Sequence, residues 1–320
     1  MENKKKQHYV WKRYLRPWAI KDLIWCYREG KIFKPNLEGI AQQRYFYKLM
    51  ELSQKDLTFL RYFIEKSKNP TLIKLNYSWL EDFINPFRIK KVLESIGFDK
   101  QYYDDLIQYA INNTLENIHA RIEKGAIGYL DSLLNKNIDF YYTDSGCIDF
   151  SLYISMQYMR TTKNKQDIIS VLQNEEYVNI ENCIHPLSII AATNVGWSLY
   201  SRRQHSRMVL LQNETSTEFI TGDQPVINTF ANSSDEPLQE HEFELYYPVS
   251  SRLAILISEK DELQKSKVNH LSERDVDQYN KMIIQEAHNQ IYASSKEMFL
   301  KYEDELNKKN SIYNKEELPN

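Results

Sequence analysis

Residues 208–221 read MVLLQNETSTEFIT, and within this stretch the hydrophobic period of the chain changes. Two short β-favouring runs lie on either side of a turn-rich segment, and a second such pair lies downstream, interrupted by a proline and two serines. The four runs are 208–211, 218–221, 243–247 and 253–257. Short β-favouring runs separated by turn chemistry are typical of antiparallel neighbours. We therefore expect a small antiparallel sheet near the C-terminus.

The rest of the chain has a helical period. Apolar residues three and four positions apart predict helices over 20–29, 53–67, 76–96, 101–136, 148–162, 186–203 and 272–300. Pro70 and Pro86 are expected to mark breaks. The polar segment 228–241 is expected to be a long loop inside the sheet.

These patterns together predict an α+β fold, helix-rich with a small C-terminal antiparallel β-sheet. No boundary signal divides the chain, so we expect a single domain over residues 8–300. The polar ends, residues 1–7 and 307–320, are expected to be flexible tails.

Composition restricts the class of protein. The 320 residues are 42% hydrophobic and 27% charged, which permits a packed core, and 23 tyrosines predict buried hydroxyls that need partners. A formal net charge of −3 gives no overall attraction to nucleic acid or membrane. No secretory signal and no apolar run of about 18 residues is present, so a cytoplasmic protein without a membrane partner is expected.

Cysteine usage and known motifs narrow the class further. Cys26, Cys147 and Cys183 are far apart and odd in number, which favours packed, inert thiols in a reducing compartment. The sequence has no P-loop, G-x-G-x-x-G, H-E-x-x-H or G-x-S-x-G motif. This argues against a nucleotide-dependent kinase, a Rossmann dehydrogenase and an α/β-hydrolase.

Two amides lie on apolar helix faces. Gln157 shares a face with Phe150, Tyr153 and Ile154, and Asn280 lies in the middle of an apolar stripe on the last helix. An unpaired buried amide costs about 1–3 kcal/mol, so both should be buried and hydrogen-bonded. A structural amide bonded to backbone is the commoner explanation, and a place in a site is the alternative.

Asp223 follows the run Phe219 to Gly222 and precedes Pro225. A carboxylate at a strand end is well placed for chemistry because the scaffold behind it is rigid. An Asx turn, in which Asp223 bonds its own backbone, accounts for the pattern equally well.

Two charged groups of residues have simpler explanations. Glu116, His119 and Glu123 lie opposite the apolar row of their helix, which favours a solvated face unless the helix is covered on both sides. The basic run 202–207 could bind a phosphate. It also matches a solvated helix end, where cations are favoured by the helix dipole, and we prefer that interpretation.

Four ordered blocks carry a family resemblance: His8-Tyr9-Val10 with Tyr14-Leu15, Gln157 with Arg160-Thr161, residues 219–226, and Tyr247-Pro248-Val249-Ser250. In this order they resemble the bacterial domain of unknown function 4238 family over about residues 8–292. Trp11, Thr162 and Ser251 stand where the family has prolines, which affects turns more than chemistry. The resemblance implies no established activity.

We therefore carry two hypotheses. The first is a phosphodiester hydrolase, a nuclease-type defence or toxin effector, with His8 as general acid or base and Asp223 as its orienting group, opposing base or metal ligand. In this hypothesis Arg160 clamps a phosphate and Gln157 positions the substrate. The further substrate-binding residues would be Arg203, His205, Arg207 and Asn280. The cofactor is unknown, a divalent metal being one option, and nucleic acid would be the partner.

The second hypothesis is a non-catalytic recognition or sensor module with a protein partner. The same residues would then form a structural polar network. A solvent-accessible cleft lined by His8, Arg160 and Asp223 would favour the enzyme, whereas full burial with mutual hydrogen bonds would favour the module.

Overall fold

The computed structural model describes residues 4–172, 175, 177–231, 243–260 and 266–316, with side chains as far as Ser311. Of the long loop expected over 228–241, residues 232–241 lie outside the described residues. In chain order the α-helices are α1 (Lys12–Leu15), α2 (Gln54–Glu65), α3 (Pro70–Ser95), α4 (Lys100–Leu134), α5 (Asp144–Met159), α6 (Thr162–Leu172), α7 (Ile180–Ser201), α8 (Glu273–Glu286), α9 (Glu297–Lys301) and α10 (Glu303–Glu316).

Eleven strands connect or follow these helices in the described chain. They are β1 (Lys6–His8), β2 (Trp25–Arg28), β3 (Lys31–Phe33), β4 (Gln42–Arg44), β5 (Arg207–Gln212), β6 (Thr221–Gly222), β7 (Ile227–Asn228), β8 (Leu245–Pro248), β9 (Leu253–Ser258), β10 (Val268–His270) and β11 (Gln290–Ala293).

The strands form three sheets. The largest has the order β10-β5-β9-β8-β7, the second has the order β3-β2-β11-β6, and the third is the β1–β4 pair. The antiparallel neighbours β5–β9 and β8–β9 confirm three of the four expected runs. The α+β class is thus correct.

Two details of the predicted sheet are wrong. The sheets are not confined to the C-terminal part, because β1 to β4 come from the first 44 residues, and β10 runs parallel to β5, so the largest sheet is mixed. The run 218–221 contributes Thr221 to β6, which pairs with β11 in the second sheet.

The helix predicted over 20–29 is a β-hairpin. Glu29 and Gly30 have φ of 51° and 76°, and two central residues with positive φ make the tight turn that joins twisted strands. The buried Cys26 and Tyr27 of β2 then pair with β3 and β11.

Other helix boundaries differ for local reasons. Pro70 is the first residue of α3, where a missing N–H costs nothing, and Pro86 lies inside the same helix. The pattern over 148–162 covers the end of α5 and the start of α6, and the pattern over 272–300 covers α8, β11 and α9. The expected terminal tails contain part of β1 and of α10.

The core consists of four apolar clusters. One joins the N-terminal segment, α4, α5 and the largest sheet, and a second lies between the two larger sheets and α8 to α10. Two further clusters lie between the helices α2 to α7. The free thiols of Cys26, Cys147 and Cys183 are buried in this core, as expected.

Candidate functional site

Arg160 is the centre of a polar cluster inside the helical layer. It is the C-terminal cap of α5, and its side chain is buried. The guanidinium donates to the Glu123 carboxylate, to the Tyr47 hydroxyl at 2.7 Å and to the backbone carbonyl of His8 at 2.5 Å. Arg160 therefore ties β1, the segment after β4 and helix α4 together.

A small cavity lies beside this guanidinium. Its volume is about 10 Å³, which is room for about one water-sized group. Its polar lining residues are Tyr47, His119, Arg160, Lys165, His185 and Ser188. We call Tyr47, His119, Glu123, Arg160, Lys165 and His185 the Arg160 cluster. The wall of the cavity contains hydrogen-bond donors and, within the described part of the chain, no carboxylate.

Lys165 is the least expected member of the cluster. Its Nζ lies 3.2 Å from the centroid of the Phe46 ring and 3.5 Å from the Phe46 carbonyl oxygen. No described carboxylate lies within ion-pair distance of it. Burying an ammonium without an acidic partner is costly, and this cost favours the neutral amine over the charged form.

The same environment acts on the two histidines. Burial, followed by the charge of Arg160, lowers the pKa of Lys165 and of His119 well below their ordinary values. Burial, followed by Lys165, lowers the pKa of His185 well below its ordinary value. Burial thus favours the uncharged form of all three basic groups around this cavity.

Two polar atoms on α4, beside the cluster, have no hydrogen-bond partner among the described residues. They are Nδ1 of His119 and Oε2 of Glu116, both buried. Burial raises the pKa of the Glu116 and Glu123 carboxyl groups. Buried polar atoms without a partner are uncommon and are found where water, a ligand or chemistry completes the site.

The solvated face expected for Glu116, His119 and Glu123 is therefore wrong. His119 is 4% exposed and Glu123 is 8% exposed, because α4 is covered on both sides. Its apolar row packs against α3 and α5, and Tyr47 and Arg160 cover these polar residues.

Gln157 lies close to Arg160 along the chain, and His8 lies close to it in space. His8 contributes its backbone carbonyl to Arg160, while the backbone of Leu37 hydrogen-bonds the His8 imidazole. Burial lowers the pKa of this imidazole, and its Nε2 has no partner among the described residues. Gln157 is buried one turn before Arg160, as expected.

Asp223 has a different environment. Its carboxylate accepts the backbone N–H groups of His288, Asn289 and Gln290 at 2.7, 2.9 and 2.9 Å. It closes the turn between α8 and β11. Neither alternative from the sequence describes this, because Asp223 forms no Asx turn with its own backbone and makes no contact with the Arg160 cluster. The link to the N-terminal segment is indirect, since the Gln290 side chain donates to the Tyr9 hydroxyl at 2.7 Å.

The remaining sequence candidates lie elsewhere. Asn280 is fully buried and bonds the backbone of Glu218 and Ile220 and the Tyr302 hydroxyl, which confirms its predicted environment. Helix α7 ends at Ser201, and Arg203 pairs with Asp144 at 3.0 Å. His205 and Arg207 follow as exposed residues beyond this helix end. This geometry favours the helix-end interpretation of the basic run.

Sequence reasoning did not place Tyr47, Lys165 or His185 in this site. Tyr47 follows a short strand, Lys165 lies in the polar run of α6, and His185 shares a helix with ordinary core residues. No spacing connects them, because each comes from a different element. A buried histidine in an apolar helix was the one available signal.

Two features of the described residues bear on cofactors and partners. No three His, Cys, Asp or Glu side chains converge so that they could hold a metal ion. No helix there has the length and apolar character needed to cross a membrane.

Comparison with known proteins gives one match. The family described as "Protein of unknown function (DUF4238)" matches residues 6–297. No curated protein and no solved structure matches the chain.

Proposed function

Because the chain belongs to the DUF4238 family, whose description assigns no activity, we propose a function from the geometry of the Arg160 cluster. We propose that the protein is a phosphodiester hydrolase whose cavity beside Arg160 receives a non-bridging phosphoryl oxygen. A nucleic acid would then be its substrate, as in a nuclease-type effector. The observation that carries the proposal is a water-sized cavity whose polar wall consists of donors.

The donors suit a developing negative charge. Arg160, Lys165 and His185 line the cavity beside apolar residues, and fixed donors in a water-poor site stabilise an oxyanion far better than they do in water. Burial and the charge of Arg160 lower the pKa of Lys165. An anion beside it favours the ammonium, so substrate binding would be accompanied by proton uptake.

His119 is the acid–base group in this proposal. Burial lowers the pKa of its ring, and its Nδ1, which has no hydrogen-bond partner among the described residues, is the atom that would exchange the proton. Arg160 keeps the phosphate-binding role expected from the sequence. His8 supports the cluster through its backbone carbonyl, whereas Asp223 closes a turn outside the cluster.

The test is incubation of the purified protein with RNA, DNA and tRNA pools, with and without divalent metal. Lys165→Met removes the amine but keeps an apolar side chain of similar length. We expect it to lower the cleavage rate by about a hundredfold or more, the effect of losing one oxyanion donor. Lys163→Met is the matched control, because Lys163 lies on the same helix in a surface ion pair with Asp167, and it should cleave like the wild type.

Circular dichroism should show both variants folded. A wild-type protein that cleaves none of the pools would reject the proposal, as would full activity in the Lys165→Met variant.

One observation favours a second candidate, the recognition module. Arg160 and Asp223 are buried and bonded to structural partners, which is the arrangement expected for a structural network. This candidate is supported if the wild type is inactive and Lys165→Met changes stability alone.

A further inference from the structure

The hairpin formed by α3 and α4 ends in a rigid tip. Gly97 has a φ of 67°, Phe98 N–H donates to the Leu93 carbonyl at 3.0 Å, and Gly97 N–H donates to the Glu94 carbonyl at 3.1 Å. These bonds form a Schellman motif. The Asp99 side chain then caps α4 through the Gln101 N–H at 3.0 Å. Both helix ends are thus fixed before any partner binds.

This tip exposes large apolar side chains. Each is between 49% and 71% exposed, and together they are Ile89, Val92, Ile96, Phe98, Tyr102 and Leu106. With a rise of about 1.5 Å per residue, all lie within about 12 Å of the turn along the helix axes. We call these six residues the hairpin tip. Single exposed apolar residues are ordinary, but a concentration of six marks an interaction surface.

The charges at the tip are separated by helix. Residues 88–95 of α3 contain three basic residues and one acidic residue, Arg88, Lys90, Lys91 and Glu94. Residues 99–106, which include the start of α4, contain three acidic residues and one basic residue, Asp99, Asp104, Asp105 and Lys100. Net charges of +2 and −2 on adjacent helix ends are self-complementary, since a two-fold axis can place α3 of one copy against α4 of another.

The size of the hairpin tip also fits a protein–protein interface. A large apolar side chain has about 200 Å² of surface, so six half-exposed ones supply about 600 Å² on each subunit. Neighbouring polar residues would bring this close to the roughly 800 Å² per partner of a standard interface. Arg88 and Lys91 already pair with Glu81 at 2.8 Å and with Glu51 at 2.6 Å. Lys90 and Lys100 lie 3.9 Å from the carboxylates of their own helices, which makes these two the lysines that can pair across an interface.

We propose that the protein forms a two-fold symmetric homodimer through the hairpin tip, with α3 of each subunit packed on α4 of the other. This inference does not depend on the proposed phosphodiester activity, because the tip and the Arg160 cluster use different residues. The rigid turn adds little ordering cost on association.

Sedimentation velocity of the full chain over a wide concentration range tests the proposal. The wild type should be a dimer, and the double variant Ile96→Glu/Tyr102→Glu should raise the dimer dissociation constant about a hundredfold or more. Val171→Glu is the matched control: Val171 is 77% exposed on α6, so the same change there should leave the dimer intact.

Charge reversal tests the packing of α3 against α4. Lys90→Glu and Asp105→Lys should each weaken the dimer, and both changes in one chain should restore it, because each subunit then presents the reversed but still complementary pair. A monomeric wild type at all concentrations would overturn the proposal, as would failure of the paired reversal to restore the dimer. Capture of a different macromolecule by a monomeric tip would overturn it as well.

Discussion

Lys165 occupies an environment that its side chain disfavours. The amine is buried against the Phe46 ring, beside the positive charge of Arg160. A hydrophobic residue of the same size would fill this space at lower cost, since replacing a buried ionisable group by a well-packed apolar one is often stabilising. Groups that reduce stability in this way are concentrated where binding or catalysis needs them.

This environment gives a pH-dependent prediction for Lys165→Met. The folded-state pKa of Lys165 lies well below its ordinary value, while the unfolded value is about 10.4. Between these two values the unfolded chain binds one more proton than the folded chain, so the free energy of unfolding falls as pH decreases. Methionine does not titrate, so the variant lacks this pH-dependent contribution to the free energy of unfolding. The variant should therefore be about 1–4 kcal/mol more stable than the wild type at pH 7, and the gain should shrink toward pH 10.

Urea unfolding at a series of pH values measures the gain. Lys163→Met should change stability by less than about 0.5 kcal/mol at any pH, as an exposed substitution does. A gain for Lys165→Met that is constant or grows with pH would show that the amine is charged in the folded protein.

Residues on a helical stripe could be predicted from the sequence, and residues that meet across elements could not. Asn280 and Gln157 stand out because their apolar neighbours share a helix face, and both are buried. Glu123 was considered but misjudged, because its burial depends on Arg160 and Tyr47 from other elements. Lys165 resembles any surface lysine until α6 is packed against Phe46.

At the scale of elements, two glycine environments show how context sets the effect of one residue. Gly125 and Gly128 lie inside α4, where an added Cβ would meet no atom within 4 Å. Gly146 lies in the first turn of α5, where an added Cβ would clash with the carbonyl oxygen of Phe140. Gly125 and Gly128 therefore weaken α4, and no close contact there requires a glycine. Gly146, in contrast, permits the close approach of the turn that precedes α5.

We therefore predict opposite signs for two matched substitutions. Gly128→Ala should stabilise the protein by about 0.5–1 kcal/mol, the difference in helix propensity between glycine and alanine. Gly146→Ala should destabilise it by more than about 2 kcal/mol, because a backbone carbonyl must move to make room. Denaturant midpoints of the two variants measure both effects. Equal effects would mean that the turn before α5 gives way more easily than its contacts indicate.

The elements themselves were partly predictable. Long helices with a clear period, such as α2 and α4, and the strands β5, β8 and β9 follow from local pattern. The β2–β3 hairpin and β11 do not, because short apolar runs fit a helix or a strand equally well and their pairing partners decide between them. For β11 the partners are β2, from the first 30 residues, and β6, and no local pattern contains that information.

At the scale of the whole molecule, the N-terminal segment joins the helical layer to the rest of the fold. Strand β1 pairs with β4, and Tyr9 and Val10 enter the core cluster that contains α4, α5 and the largest sheet. Gln7 makes the tightest of these connections. Its side-chain Nε2 donates to the Asn112 carbonyl on α4 at 2.7 Å, and its Oε1 accepts the Tyr47 N–H at 2.7 Å.

Gln7→Ala should therefore destabilise the protein by about 2–4 kcal/mol. Gln7 is fully buried, so its removal leaves a buried N–H of Tyr47 without an acceptor, at a cost of about 1–3 kcal/mol, and also opens a cavity. Gln43→Ala is the matched control, because Gln43 pairs with Gln7 in the same ladder but is exposed, and its replacement should cost less than about 0.5 kcal/mol. Urea unfolding gives both values, and hydrogen exchange should be faster at the Tyr47 amide in the Gln7 variant alone. Because the Tyr47 hydroxyl also accepts a hydrogen bond from Arg160, loss of the contact at the Tyr47 amide should also loosen the Arg160 cluster. Equal stability of the two variants would mean that β1 is held by its strand pairing and not by the Gln7 side chain.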